Sequence, residues 1–227
     1  MGNKNNSVNS AQIEWYRKIL NGEVQEVESA AKGGDIDAMK ILVSCYEDGG
    51  ILPRNDTKLH YYSQMAADHG DIPSALVAGV NFYFGSGTRK NAKNAGKYLS
   101  IAADAGFSKA QVLLGDLYRR GEYGLFGRKK KAFDLYERAA KQGDAEAQYA
   151  LAEAYIKEVG VSFDIEKAMF WLVCARLHGD NDRQWSNQAT KGINNLISAG
   201  YPGGKQRIEQ LEQMVMKQYA NLIRNPE

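Results

Sequence analysis

The feature that most constrains this chain is a pattern stated twice between Lys109 and Gly179. It runs Ala110-Gln-Val-Leu-Leu114-Gly115-Asp-Leu-Tyr118, a glycine loop, then Ala132 to Ala139-Ala140-Lys-Gln-Gly143. It returns as Ala147-Gln-Tyr-Ala-Leu151-Ala152-Glu-Ala-Tyr155, the loop Glu158-Val-Gly160, then Ala168 to Ala175 and Gly179. The interval from Ala110 to Ala147 is 37 residues, a period in the range of helical solenoids. At 100° per residue the first Ala and the positions four, five and eight later share one helical face. Small residues on that face admit a second helix closely, Leu fills the space between, and Tyr covers the end with a ring whose hydroxyl still reaches a partner. Each copy therefore predicts a helical hairpin.

The template extends backwards. Ala75 is followed by Tyr83, Gly85-Ser-Gly87, Ala95, Ala102-Ala103 and Gly106, and Ala38 by Leu42, Tyr46, Gly49-Gly50, Leu59, Ala66-Ala67 and Gly70. Four copies then span 36–71, 72–107, 108–144 and 145–180. Residues 1–9, rich in Asn and Ser, are expected to be disordered. Residues 10–35 read as a degenerate hairpin capping the first copy, with Ile13, Tyr16 and Leu20 at helical spacing on its first helix. Residues 181–227 read as C-terminal capping helices. The first opens at Asp180-Asn-Asp182, and the last carries Ile208, Leu211, Val215, Tyr219 and Leu222 along one stripe. Each hairpin after the cap is expected to start behind an Asp, Asn or Ser and to stop near Gly.

Ala-Gln-x-x-Leu-Gly-x-x-Tyr, a glycine-rich loop and Ala-x-x-x-Tyr-x-x-Ala-Ala-x-x-Gly resemble Sel-one-like repeats, relatives of the tetratricopeptide repeat. The departures are Gly79 in place of Leu, Glu158 in place of the first loop Gly, and Arg176 in place of the second Ala. The resemblance implies an all-α fold, a right-handed α/α superhelical solenoid of about four such repeats with capping helices at both ends. It also implies binding in place of catalysis, as an adaptor, a regulator or an immunity protein that neutralises a toxin. A hydrolase with its site in the groove, proposed for some cysteine-rich relatives, is the alternative from another class. A structural oligomer built through the last helix is the third.

In solenoids of that kind the outward side of each first helix lines a concave groove. The resemblance therefore makes Val77, Asn81, Phe84, Val112, Asp116, Arg119, Tyr149, Glu153 and Ile156 candidates for holding a partner protein, with Lys40, Ser44 and Glu47 at the matching positions of the first copy. Exposed Val77, Phe84, Val112, Tyr149 and Ile156 would make an apolar strip rimmed by polar groups, of which two are expected to prove core. Arg128-Lys129-Lys130-Lys131 opens a second helix where the first and fourth copies place acids, Asp56 in one and Asp164 and Glu166 in the other, and with Arg119 and Arg120 it forms a candidate basic loop for an acidic partner surface.

Chemistry is otherwise sparse. The three histidines, His60, His69 and His178, form no two-histidine zinc motif, there is no Cys-x-x-Cys pair, and Gly85-Ser-Gly87-Thr-Arg-Lys90 follows a helix and lacks the phosphate-loop signature. No metal or cofactor is expected. Lys and Arg number 29 against 27 Asp and Glu, so no overall basic field draws nucleic acid. No apolar run reaches the length of a membrane span and the start is polar, which predicts a cytoplasmic protein, or a periplasmic or secreted one if a signal peptide was removed. Cys45 and Cys174 lie on distant copies and are expected to be buried, unreactive thiols. A monomer or weak dimer is the expected state.

Overall fold

The computed structural model describes residues 10–49, 51–122, 128–179 and 183–224. Among these there are twelve helices and no strand, distributed over two compact units, Met1–Ala105 and Gly106–Glu227.

The first unit holds α1 (Ser10–Leu20), α2 (Val24–Lys32), α3 (Ile36–Asp48), α4 (Asp56–Asp68), α5 (Ile72–Phe84) and α6 (Ala92–Asp104). Consecutive helices from α3 to α6 pack on one another, with α1 and α2 against α3. Small residues make the close approaches. A Cβ added to Gly79 would sit 2.8 Å from Leu99 of α6, so the departure from Leu at that position is filled from across the crossing. The stripe Ile13, Tyr16 and Leu20 does not face the core: these residues are 49, 43 and 61% exposed. Ile19 is the buried residue of α1, and the Trp15 indole turns inward to donate to Asp35 Oδ2 at 3.2 Å. That polar contact and Gln12 Nε2 donating to Asp37 at 2.8 Å fix a different face against α3.

The second unit holds α7 (Ser108–Arg120), α8 (Lys129–Lys141), α9 (Ala145–Ile156), α10 (Ile165–His178), α11 (Arg183–Ser198) and α12 (Gly204–Arg224). Helix α10 is packed by α9, α11 and α12, and Ile208, Leu211 and Val215 of α12 are buried in that core. The side chains of Tyr219 and Leu222, and the proposed helix start at residues 180–182, lie outside the described residues. The third departure from the repeat acquires a partner here: Arg176 forms an ion pair with Glu212 of α12.

Caps follow the sequence with two exceptions. Asp35, Asn55, Asp71, Asn91, Asp144 and Asp164 each accept a hydrogen bond from the amide three residues on, worth about 1 kcal/mol apiece. Phe107 and Arg128, which precede α7 and α8, make no side-chain cap. At the far end of each first helix the chain turns left-handed, at Gly49, Gly85 and Gly121 and, in the fourth copy, at Glu158 with φ 54°. The second loop glycine has a tighter duty. A Cβ on Gly87 would overlap the backbone of Asp56, and one on Gly160 the backbone of Lys129. In both units the loop of one hairpin thus sits on the first residue of the preceding hairpin's second helix.

Neither cysteine forms a disulfide and both are buried; burial pushes the Cys174 thiol up to about 12, leaving it protonated and inert at neutral pH. His69 caps α4 through Nδ1 on the Met65 carbonyl at 2.8 Å. His60 is buried beside Phe82, ring centroids 4.5 Å apart and edge-on, and its Nδ1 has no hydrogen-bond partner among the described residues. Burial lowers the pKa of His60 and of His178. The unfolded chain therefore takes up protons below about pH 6.5 that the native fold resists, and stability falls as pH drops through that value. Glu28 and Asp68 are held below their ordinary values by lysine and tyrosine hydrogen bonds that outweigh burial. They erode stability in the same direction, but only below about pH 4.5. Urea unfolding at pH 7.5 and 5 should show a loss at the lower pH that His60→Leu and His178→Leu together abolish.

Candidate functional site

Of the groove candidates, Val77, Asn81 and Phe84 stand on α5 in the first unit. Phe84 is 50% exposed, its ring edge-on to Tyr83. Val77 borders a shallow cavity of about 200 Å³ whose walls include Lys40, Ser44 and Glu47 of α3 and Asp71; Lys40 and Asp71 pair across it at 3.7 Å. Asn81 corrects the expectation of an outward polar group, for it is 5% exposed. Its backbone carbonyl accepts from the amides of both Gly85 and Ser86 at 2.8 and 3.1 Å, where the chain leaves α5, and its short side chain is enclosed and offers nothing to a partner.

The other six stand on α7 and α9 in the second unit, where the geometry is richer. Gly115 leaves α7 without a side chain at the crossing with α8, and the Tyr136 ring occupies the space; a Cβ there would come within 2.7 Å of it. Tyr136 is 1% exposed. Its hydroxyl donates to Asp116 Oδ1 at 2.6 Å, Arg119 Nη2 donates to the same oxygen at 3.1 Å, and Arg119 Nε donates to the tyrosine oxygen at 3.2 Å. Burial, reinforced by the Asp116 carboxylate, raises the Tyr136 pKa, so the phenol stays a donor.

Beside this triad opens a cavity of about 480 Å³, bordered by Val112, Asp116 and Arg119 of α7 and Lys129 and Tyr136 of α8. Tyr149 and Glu153 of α9 and Trp185 and Gln188 of α11 close the other side. Tyr149 and Trp185 lie 5.6 Å apart with their planes 42° from parallel. Burial and then Glu153 raise the Tyr149 pKa. The acids are engaged: Glu153 with Lys157 at 2.7 Å, Glu146 with Lys109 at 2.6 Å.

The structure thus brings Asp116, Arg119, Tyr149 and Glu153 together at one cavity and corrects Val112, which is 2% exposed. Helix α9 packs beside α7, and Val112 joins a core cluster with residues of α8 and α9, reaching the cavity only as part of its floor. Ile156 is half-buried against the same cluster and does not border the cavity. Sequence reasoning missed Trp185 and Gln188 because α11 lies beyond the repeats and shares no register with them. A tryptophan at the start of a helix following the last copy was the available signal.

The basic loop is partly neutralised. Arg120 pairs with Glu122 at 3.1 Å and Lys130 with Asp134 at 3.0 Å; Lys130 also lies over the Phe133 ring, and Lys131 over Tyr118. Arg119 is held in the triad. Arg128 and Lys129 are exposed and have no ionic partner among the described residues. Residues 123–127 of the loop lie outside those described. Among the described residues no group of three or more His, Cys, Asp or Glu is placed to hold a metal, and no helix is long and apolar enough to cross a membrane.

Comparison with known proteins gives consistent similarities. The Sel1 repeat family matches residues 42–71, 74–107, 108–144 and 145–180. Chitin synthase regulatory factor 1 of Schizosaccharomyces pombe is 36% identical over 129 residues, covering 56% of this chain and 28% of that protein. The alginate biosynthesis protein AlgK of Azotobacter vinelandii is 33% identical over 151 residues, covering 66% and 30%. The chain thus spans less than a third of the length of either. Among solved structures, a protective antigen of uropathogenic Escherichia coli displaying an SLR fold superposes with a TM-score of 0.70 at 24% identity, over 88% of this chain and 43% of that one.

Proposed function

Because the chain belongs to the Sel1 repeat family, we propose that it is a non-enzymatic scaffold, an adaptor or regulator that holds a segment of a partner protein in the cavity of its second unit. The observation that carries this reading is the convergence of four groove candidates with Lys129, Trp185 and Gln188 around one opening. Such a site, an apolar floor with a few placed polar groups, suits a side chain inserted from a partner. The names of the relatives, a chitin synthase regulatory factor and an alginate biosynthesis protein, favour an adaptor or regulator over a toxin-neutralising immunity protein. What they share with this chain is a repeat region and not their full length.

The described residues bordering the cavity include no Ser, Thr, Cys or His, which disfavours a hydrolase built on a nucleophile and base. The burial of Ile208, Leu211 and Val215 supports α12 as a cover for α10 and not as an oligomer seam.

The test uses a partner recovered from source cells with the intact chain and then purified. Trp185→Ala and Tyr149→Ala should each weaken its binding by about 2 kcal/mol, roughly 30-fold; both rings are partly buried and Tyr149 also packs against the α10–α12 core, so the melting temperature of each variant is measured beside its affinity and the protein should remain folded at the binding temperature. Phe84→Ala should leave affinity within about threefold. Loss of binding on Phe84→Ala alone would move the site to the first unit, and turnover of a substrate by the purified chain would end the scaffold reading.

A further inference from the structure

Among the described residues three cations border the cavity of the second unit, Arg119, Lys129 and Lys157, and two of them are engaged. Arg119 is bound to Asp116 and Tyr136, and Lys157 to Glu153. Lys129 has no carboxylate or other hydrogen-bond partner among the described residues, although it borders the cavity. Its position is seated from below: the loop at Gly160 lies directly on the Lys129 backbone. On the opposite wall, Trp185 and Gln188 make no side-chain hydrogen bond among the described residues, which leaves an indole N–H and an amide open to a ligand. Among the described residues the lining therefore carries three carboxylates already satisfied, one unsatisfied ammonium and two unsatisfied polar groups, above an apolar floor of Val112, Ala150, Ala154 and Val159.

From this imbalance we infer that the cavity selects an acidic peptide segment, one in which an apolar side chain enters between Tyr149 and Trp185 while a neighbouring Asp or Glu carboxylate pairs with Lys129. The inference rests on the scaffold reading and adds the chemistry of the partner. A basic segment would meet the uncompensated Lys129 ammonium and find the described carboxylates of the lining, Asp116, Glu146 and Glu153, already engaged, an arrangement that rejects as well as attracts. A cavity of about 480 Å³ has room for a large side chain and adjoining backbone. An acidic sugar is the competing occupant with a carboxylate. It is disfavoured because two rings tilted by 42° form a cleft and not a flat platform, and because the floor beneath them is apolar.

The experiment selects octapeptides from a random library on the intact protein, on Lys129→Glu and on Lys205→Glu, a charge-matched change at an exposed residue outside the cavity. The intact protein and Lys205→Glu should enrich Asp or Glu next to Leu, Ile, Phe or Trp. Lys129→Glu should lose that preference or turn it toward Lys and Arg. The best acidic peptide should bind Lys129→Glu at least tenfold more weakly, and the intact protein more weakly as salt rises from about 0.05 to 0.5 M. Enrichment of apolar peptides without charge preference would overturn the carboxylate pairing and leave the scaffold reading standing. Failure to enrich any peptide, together with a Trp185-dependent fluorescence response to oligouronates, would replace the peptide by a carbohydrate. No response to either probe would remove both the inference and the cavity as the binding site.

Discussion

Replacing Gly160 with alanine is expected to cost the second unit about 3 kcal/mol, measured by denaturant unfolding. Gly160 has φ 75°, where a side chain costs about 1 to 2 kcal/mol. Its new methyl would also overlap the carbonyl group of Lys129, and backbone cannot rotate away as a side chain can. The start of α8 must shift, carrying Lys129 from the cavity, so acidic-peptide binding should fall with stability. Gly200→Ala is the control: φ is 91° with nothing within 4 Å of the added atom, so it should lose only about 1 kcal/mol. Gly87→Ala should reproduce the larger loss in the first unit, where the overlap is with Asp56. Equal effects for Gly160 and Gly200 would show that the seat on Lys129 contributes nothing.

Gly115→Leu is expected to destabilise the second unit by about 3 kcal/mol, the upper end of the range for overfilled crossings. Even one carbon there reaches the Tyr136 ring at 2.7 Å, and that ring is anchored by Asp116 and Arg119. Displacing it breaks the triad and leaves the Asp116 carboxylate with one fewer donor. Tyr136→Leu in the same chain should recover part of the loss, since a leucine at the matching position of the second copy, Leu99, already packs against a glycine, Gly79. The urea-unfolding cycle of the two single variants and the pair should therefore be non-additive. Strict additivity would show that the two side chains do not compete for one space.

The hairpins were legible because their evidence is repetition: Ala, Leu, Gly and Tyr recur in register, and the faces they predict are the ones the helices bury. Position-by-position exposure was less legible, because a helix in a stack has neighbours on more than one side. Val112 and Tyr149 stand two residues after the first Ala of successive copies. One is covered by α9 and by residues of α8 and is buried, while the other packs against Trp185 and the core around α10 and α11 and stays only partly buried. Asn81, by contrast, is buried at 5% exposure where Asp116, at a matching place on α7, is only partly buried, a difference that no register argument within one helix predicts. The cavity itself was half readable: Asp116, Arg119, Tyr149, Glu153 and Lys129 stood out in sequence, but Trp185 belongs to a helix with no counterpart to compare. The exposed stripe of α1 shows the limit of periodicity, since Trp15 and its bond to Asp35 decided the packing face.

The seating of each loop glycine on the preceding second helix restricts where the chain tolerates insertions. Gly87 meets Asp56 and Gly160 meets Lys129, the same separation along the chain in both units, so a residue gained or lost within that interval would unseat the contact. The residues that open the helices obey this. From Asn55 to Asp71, Asn91 to Phe107 and Arg128 to Asp144 the count is constant. The span from Phe107 to Arg128 is one residue longer than those from Asp35 to Asn55, Asp71 to Asn91 and Asp144 to Asp164. The one extra residue falls between the two helices of a hairpin, ahead of Arg128 and Lys129 and outside both intervals that the glycine contacts hold to a fixed length, so that is the place where a change in length leaves those two contacts in register.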